Sequence, residues 1–600
     1  MFRLFSVIIA IFMILSCNSS KQLQNEARVF LDNYAEIYKK LYYESAKAEW
    51  RSNTMIIKGD SSNSIATRKA NEALAKFSGG VENINTAKKL LKEKDKLLPI
   101  QQRQLERVLY LAANNPQTVS DIVKERIKAE TAQTEKLFGF DFNINGKSVT
   151  TNQIDEKLKS QTKISERLKT WEASKEVGKQ LKPGLVNLRT LRNETVKALG
   201  YNDYFTYQVS EYGMTAEEII QLTRQINSEI FPLYRELHTY TRYELADRYG
   251  TKEVPDFLPA HWLPNRWGQD WNEMISVKGL NLDSVLQKKS AEWLMKQGER
   301  FYISLGLSAL PEIFWEKSSL YPLPQAALYK KNNHASAWHM DLENDVRSLM
   351  SVVPNASWYE TVHHELGHIY YYIAYTNQEV PPLLREGANR AFHEALGSLL
   401  GLAAMQKPFI KEIGLITDQS TTDEKQLLLK EALNYIVFIP WSAGVMTEFE
   451  HDLYTNNLDP DQFNTRWWEL KKEYQGIVPP SPRGKEYCDA ASKTHISNDA
   501  AQYYDYALSY IILFQFHDYI SRNILKQDPH ATNYYGSKEV GEYLTSIMSP
   551  GATLDWVKLM REKTGEDLSA RAIMRYFEPL TEYLKEKNKG RKYTLKPPQV

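Results

Sequence analysis

The sequence predicts a mainly α-helical fold, and three observations predict it. Long amphipathic stretches rich in Lys, Glu, Leu and Ala run from Gln24 to about Leu137, with apolar residues at helical spacing. Strand signals are few and gather around His334–Trp338. No repeat, low-complexity linker or charge block divides the 600 residues, so one large unit is expected. With 42% hydrophobic and 25% charged residues, the chain can bury a sizeable core. A net charge of +1 offers no basic surface, so no nucleic-acid partner is expected.

The first element is a leader. Arg3 precedes an apolar run from Leu4 to Leu15, too short to span a bilayer and suited to a secretory signal over residues 1–16. Ile14-Leu15-Ser16-Cys17 resembles a bacterial lipobox, which implies lipidation of Cys17 and a polar tether over residues 17–25. The expected location is the cell envelope, anchored in the membrane by that lipid. Asn18, in place of a retaining aspartate, favours the periplasmic face of the outer membrane. Cys488 is the only other cysteine, so lipidation of Cys17 leaves no disulfide within the chain.

Further along, Ala335-Ser336-Ala337 alternate like a short strand, and Val346–Met350 can pair with it. Its small side chains would let an extended peptide add to the edge as a further strand. Next comes His364-Glu365-Leu366-Gly367-His368 in a helical segment. Residues i and i+4 share a helix face, so both imidazoles can reach one metal ion, with Glu365 beside it as general base. Such a site takes three protein ligands and a water. Pro381 and Pro382 break the chain, Asn389 is an N-cap candidate, and a second helix carries His393 and Glu394. Adjacent helical residues point about 100° apart, so one of these two faces the metal. Glu394 is the better candidate, and His393 competes with it.

His364–His368, followed by Gly387-Ala388-Asn389-Arg390-Ala391-Phe392-His393-Glu394-Ala395-Leu396-Gly397-Ser398, resembles the M2 peptidases. These are the angiotensin-converting enzyme family of zinc dipeptidyl carboxypeptidases. His334-Ala335-Ser336-Ala337-Trp338, Trp467-Trp468 with Tyr474-Gln475-Gly476, and Phe514-Gln515-Phe516-His517 match further family blocks, in order. Weaker similarity covers roughly residues 26 to 590. The resemblance implies a two-lobed helical ellipsoid with a deep central active-site cleft, a gluzincin-type HExxH site and one zinc per chain. The domain would run over residues 26–600, with helices from about 26 to 100 as a lid that admits short peptides.

The resemblance also implies residue roles. Glu394 becomes the third zinc ligand with His364 and His368. Tyr506 donates to the oxyanion, and His495 and His334 donate to substrate carbonyls alongside Ala335. Gln269, Lys493 and Tyr503 clamp the C-terminal carboxylate of the substrate; the family's carboxypeptidase branch has arginine where Gln269 stands, so Gln269 implies dipeptide release. The implied activity is that of a peptidyl-dipeptidase. The alternatives are a carboxypeptidase or oligopeptidase on the same core, or a non-catalytic peptide-binding lipoprotein. Two departures matter. Ser398 stands where animal members carry an aspartate beside a zinc histidine, so weaker zinc binding is expected. Asp505, Lys471 and Glu172 replace arginines that hold chloride in animal members, so chloride activation is expected to be weak or absent.

Overall fold

The computed structural model describes residues 2–277, 282–417 and 421–598, with side chains from residue 20 onward. Cys17 and the leader call therefore lie outside the residues described in full. The chain is mainly helical, as its sequence patterning predicts. Among the described residues, strands are confined to three two-stranded sheets, and no helix is long and apolar enough to cross a membrane.

Four helices open the chain: α1 (Phe2–Thr54), α2 (Ser62–Ser78), α3 (Val81–Leu91) and α4 (Pro99–Ala113). Leu23 already packs there and Gln24 hydrogen-bonds to Lys96, so ordered contacts begin slightly before residue 26. These helices bury their apolar stripes mostly against one another. Ala27, Leu31, Tyr34, Ala87, Leu90, Leu105 and Val108 make a small core of their own, joined by Leu383 from the connection between the two motif helices. Most of the rest of the chain shares one continuous core around Trp171, Trp271, Trp441 and Trp467, all buried. A third cluster packs Ala46 and Trp50 of α1 on Trp338, Met340 and Leu349. Polar links add to that contact. Arg107 of α4 pairs with Glu211 at 3.1 Å and also with Glu386, and Lys39 of α1 pairs with Glu343 at 2.8 Å.

The strand expected near His334 is present. β1 (Ser336–His339) pairs antiparallel with β2 (Val346–Leu349), in the register Ser336 opposite Leu349. It starts one residue later than the alternation suggested. A hairpin over Phe142–Ile144 and Lys147–Val149 was not anticipated. Its turn residues Asn145 (φ 54°) and Gly146 (φ 79°) are both left-handed, the Asn-Gly pairing that closes two-residue hairpins.

α5 (Ala356–Tyr375) and α6 (Arg390–Ala404) carry the two motifs. Each begins at an asparagine cap: Asn355 accepts from the Trp358 N–H at 2.8 Å, and Asn389 from the Phe392 N–H at 3.0 Å. α5 and α6 approach closely because glycine faces glycine. A Cβ at Gly367 would lie 2.9 Å from the Gly397 Cα, and one at Gly397 would lie 3.1 Å from both Cε1 and the carbonyl oxygen of His364. The first contact is shorter than real side chains make, and the second would require His364 to give way, so this spacing favours glycine at both positions. Two later helices complete the surroundings of the motifs, α7 (Glu424–Ile439) and α8 (Tyr504–Tyr519).

Candidate active site

The close pairing of α5 with α6 brings His364, His368 and Glu394 together, with one ligand atom of each within 4.8 Å of the others. The two Nε2 atoms stand 3.1 Å apart, and Glu394 Oε2 lies 3.9 Å from His364 Nε2. Two nitrogens on one tetrahedral zinc are separated by roughly 3.3 Å, so the pair is spaced for one ion. Burial lowers the pKa of both imidazoles, His368 the more strongly, so their lone pairs are free to ligate.

Each histidine is steadied through its other nitrogen. His364 Nδ1 lies 3.4 Å from Ser398 Oγ, the contact the sequence predicted. His368 Nδ1 lies 2.8 Å from His393 Nδ1. If His368 donates there, its Nε2 is left unprotonated toward the metal. His393 is therefore no ligand; it stacks on Tyr371 at 4.5 Å and supports His368. That role went unread in the sequence, where His393 competed only for the ligand position. No sequence signal marks it, because the direction about 100° from a ligand meets a neighbouring helix only once the packing is known.

Glu365 is buried, and its Oε2 finds no partner among the described residues. Desolvation, then the charge of Glu394, push its carboxyl up to about 8. A dication nearby would favour its ionised form. Tyr506 Oη stands 3.5 Å from His495 Nε2. Burial pushes the Tyr506 phenol up to about 12, so it keeps its proton to donate. Burial, then Lys493, bring His495 down to about 4, which makes it neutral near pH 7.

Gln269, Lys493 and Tyr503 also come together. Lys493 Nζ donates to Gln269 Oε1 at 2.9 Å and sits 5.1 Å above the Tyr503 ring. Burial, then Arg266, pull the Lys493 ammonium down to about 7. His334 fares differently: it is exposed, and its Nδ1 lies 2.8 Å from the Ala335 carbonyl. Ala335 itself stands just outside β1.

Around Asp505 the structure supplies a closed network. Asp505 accepts from Tyr212 Oη at 2.6 Å and pairs with Arg390 at 3.4 Å, while Arg390 also holds Asp499 at 2.9 Å. Lys175 is buried, with its ammonium 5.4 Å above the Trp267 ring. Lys471 is buried nearby, donating to the Trp267 carbonyl and to Gln475 Oε1. These lysines find carbonyl, amide and hydroxyl acceptors in place of carboxylates.

Comparison with known proteins bears on the family of the chain. A family model described as angiotensin-converting enzyme (Peptidase M2) matches residues 21–595. Angiotensin-converting enzyme of Theromyzon tessulatum is 28% identical over 97% of this chain and 95% of that protein. The angiotensin-converting enzyme-related protein of Drosophila melanogaster is 32% identical, over 65% of this chain and 64% of its own length. Angiotensin-converting enzyme of Bos taurus is 33% identical over 68% of this chain and 32% of that protein. The chain thus spans less than two thirds of the last two relatives. A match over nearly the whole chain nonetheless decides the family: this protein belongs to the M2 peptidases, the family of angiotensin-converting enzyme.

Proposed function

We propose that the protein is a zinc-dependent peptidyl-dipeptidase that releases C-terminal dipeptides from short peptides. The observation that carries this reading is the convergence of His364, His368 and Glu394 beside an unpartnered Glu365. These residues suit one zinc ion by donor type and spacing. When bound, zinc supplies a Lewis acid and a water of lowered pKa. Glu365 takes the proton of the attacking water and delivers it to the leaving amine. The Tyr506 hydroxyl donates to the carbonyl oxygen as it gains charge, a contribution of about 3 kcal/mol for one such donor. Neutral His495 donates to a neighbouring substrate carbonyl, and the edge at Ala335 takes the peptide backbone. His334 joins it once its ring leaves the Ala335 carbonyl.

Lys493, Gln269 and Tyr503 hold the terminal carboxylate, and their distance from the metal sets how many residues leave. α1 to α4, with their separate core, act as the lid. The test of the chemistry is hydrolysis of an N-blocked tripeptide with and without a zinc chelator, beside Glu365→Ala. Activity that survives either treatment would remove the mechanism.

Two further expectations belong to the same reading. Cys17 carries the lipid that anchors the protein to the periplasmic face of the outer membrane; Cys17→Ala should release it from the membrane fraction, and retention would contradict the anchor. Asp505 pairs with Arg390 and accepts from Tyr212, leaving these groups already partnered, so added chloride at constant ionic strength should change activity little. A several-fold rise would overturn that.

A further inference from the structure

A cavity opens directly at the candidate metal residues. Its volume is about 320 Å³, and His364 and Glu365 form part of its wall. Glu360 lies one helical turn before His364, on the same face of α5, and lines this cavity. Its carboxylate is solvent-accessible and has no hydrogen-bond or ion-pair partner among the described residues. No lysine or arginine lines the cavity. Asn434 and Tyr435 of α7 and Tyr510 of α8 make the opposite wall, with the two tyrosine rings edge to face at 4.9 Å.

With the clamp assigned as above, the cavity falls on the side of the leaving dipeptide. Phe438 links Tyr510 to the clamp, at 5.4 Å from Tyr510 and 5.9 Å from Tyr503. A lone carboxylate facing aromatic walls suits one kind of guest. A Lys or Arg side chain can pair its charge with the carboxylate, lay its stem on the rings and engage their faces. An acidic guest would add like charge, and an apolar guest would leave the carboxylate desolvated and unpaired.

The geometry points to Glu360 as a specificity-determining residue that selects a cationic side chain in the released dipeptide. This rests on the peptidase reading above and adds a substrate class to it. It is tested on the zinc-loaded full chain with N-blocked tripeptides bearing Lys, norleucine or Glu at either of the last two positions. At one of those positions kcat/KM for Lys should exceed that for norleucine by about tenfold, with Glu lowest. Glu360→Gln should bring the Lys-to-norleucine ratio close to one, and Glu360→Lys should turn the preference toward Glu. The ratio is the readout because any loss common to all peptides cancels, and zinc content verifies the fold. Equal rates for Lys and norleucine at both positions, or a ratio unmoved in Glu360→Gln, would overturn the inference and leave the peptidase reading standing. Calorimetric binding of the free dipeptides separates the two claims. Tighter binding of Lys dipeptides that is lost in Glu360→Gln, in a protein that cuts nothing, would uphold the selection and remove the hydrolysis.

Discussion

At the residue scale, the two histidine ligands differ in what holds them. His364 leans on a neutral hydroxyl, Ser398, and His368 on a neutral imidazole, His393. Neither partner carries the negative charge that raises ligand basicity, and such supports commonly govern metal affinity by about ten- to a hundredfold. Ser398→Asp should therefore tighten zinc binding in a competition titration with a chelator, and His393→Ala should weaken it. An unchanged affinity in both variants would remove this account of the supports. The clamp residue Lys493 makes a pH prediction. Its folded pKa is depressed to about 7, so it is charged below that value and loses its charge as pH rises through it. KM for peptides with a free C-terminus should rise as pH passes upward through that value, while C-terminally amidated peptides should show no such rise. Parallel KM profiles for both peptide types would contradict the clamp.

At the element scale, the site exists because α5 and α6 touch through Gly367 and Gly397. Gly397→Ala would force a methyl against His364 from a distance of 3.1 Å. Overpacking of this kind costs about 1–3 kcal/mol, and here the strain falls on a ligand. Zinc affinity should drop further than the midpoint of thermal unfolding would suggest; a variant that loses stability but binds zinc as before would contradict the claim. Much of this was legible in the sequence. The i, i+4 histidines, the Asn389 cap and the proline break placed α5 and α6, and the pairing of β1 with β2 followed from alternation. What was not legible depends on contacts between elements. The glycines look like ordinary helix interior until the facing helix is known. The Asn145-Gly146 hairpin was readable in its turn residues and was passed over amid stronger helical patterning.

At the scale of the whole molecule, α1 to α4 have their own core and meet the remainder through ion pairs and through the packing of Ala46 and Trp50 on Trp338, Met340 and Leu349. Half-buried Arg107, shared by Glu211 and Glu386, is the central ionic link. Arg107→Met should strip both carboxylates of their cation and loosen the lid. Hydrogen exchange should speed up across residues 27–112 and stay unchanged around Trp441; equal protection throughout would mean that the helices are not a separate lid. The central claim is that a zinc site and a carboxylate clamp together measure two residues from the C-terminus. The most direct measurement is mass spectrometry of the products from an unblocked decapeptide, with and without chelator. Successive C-terminal dipeptides that vanish with the chelator are the predicted result. Single amino acids or internal fragments would contradict it, because Gln269, Lys493 and Tyr503 would then not be setting the distance.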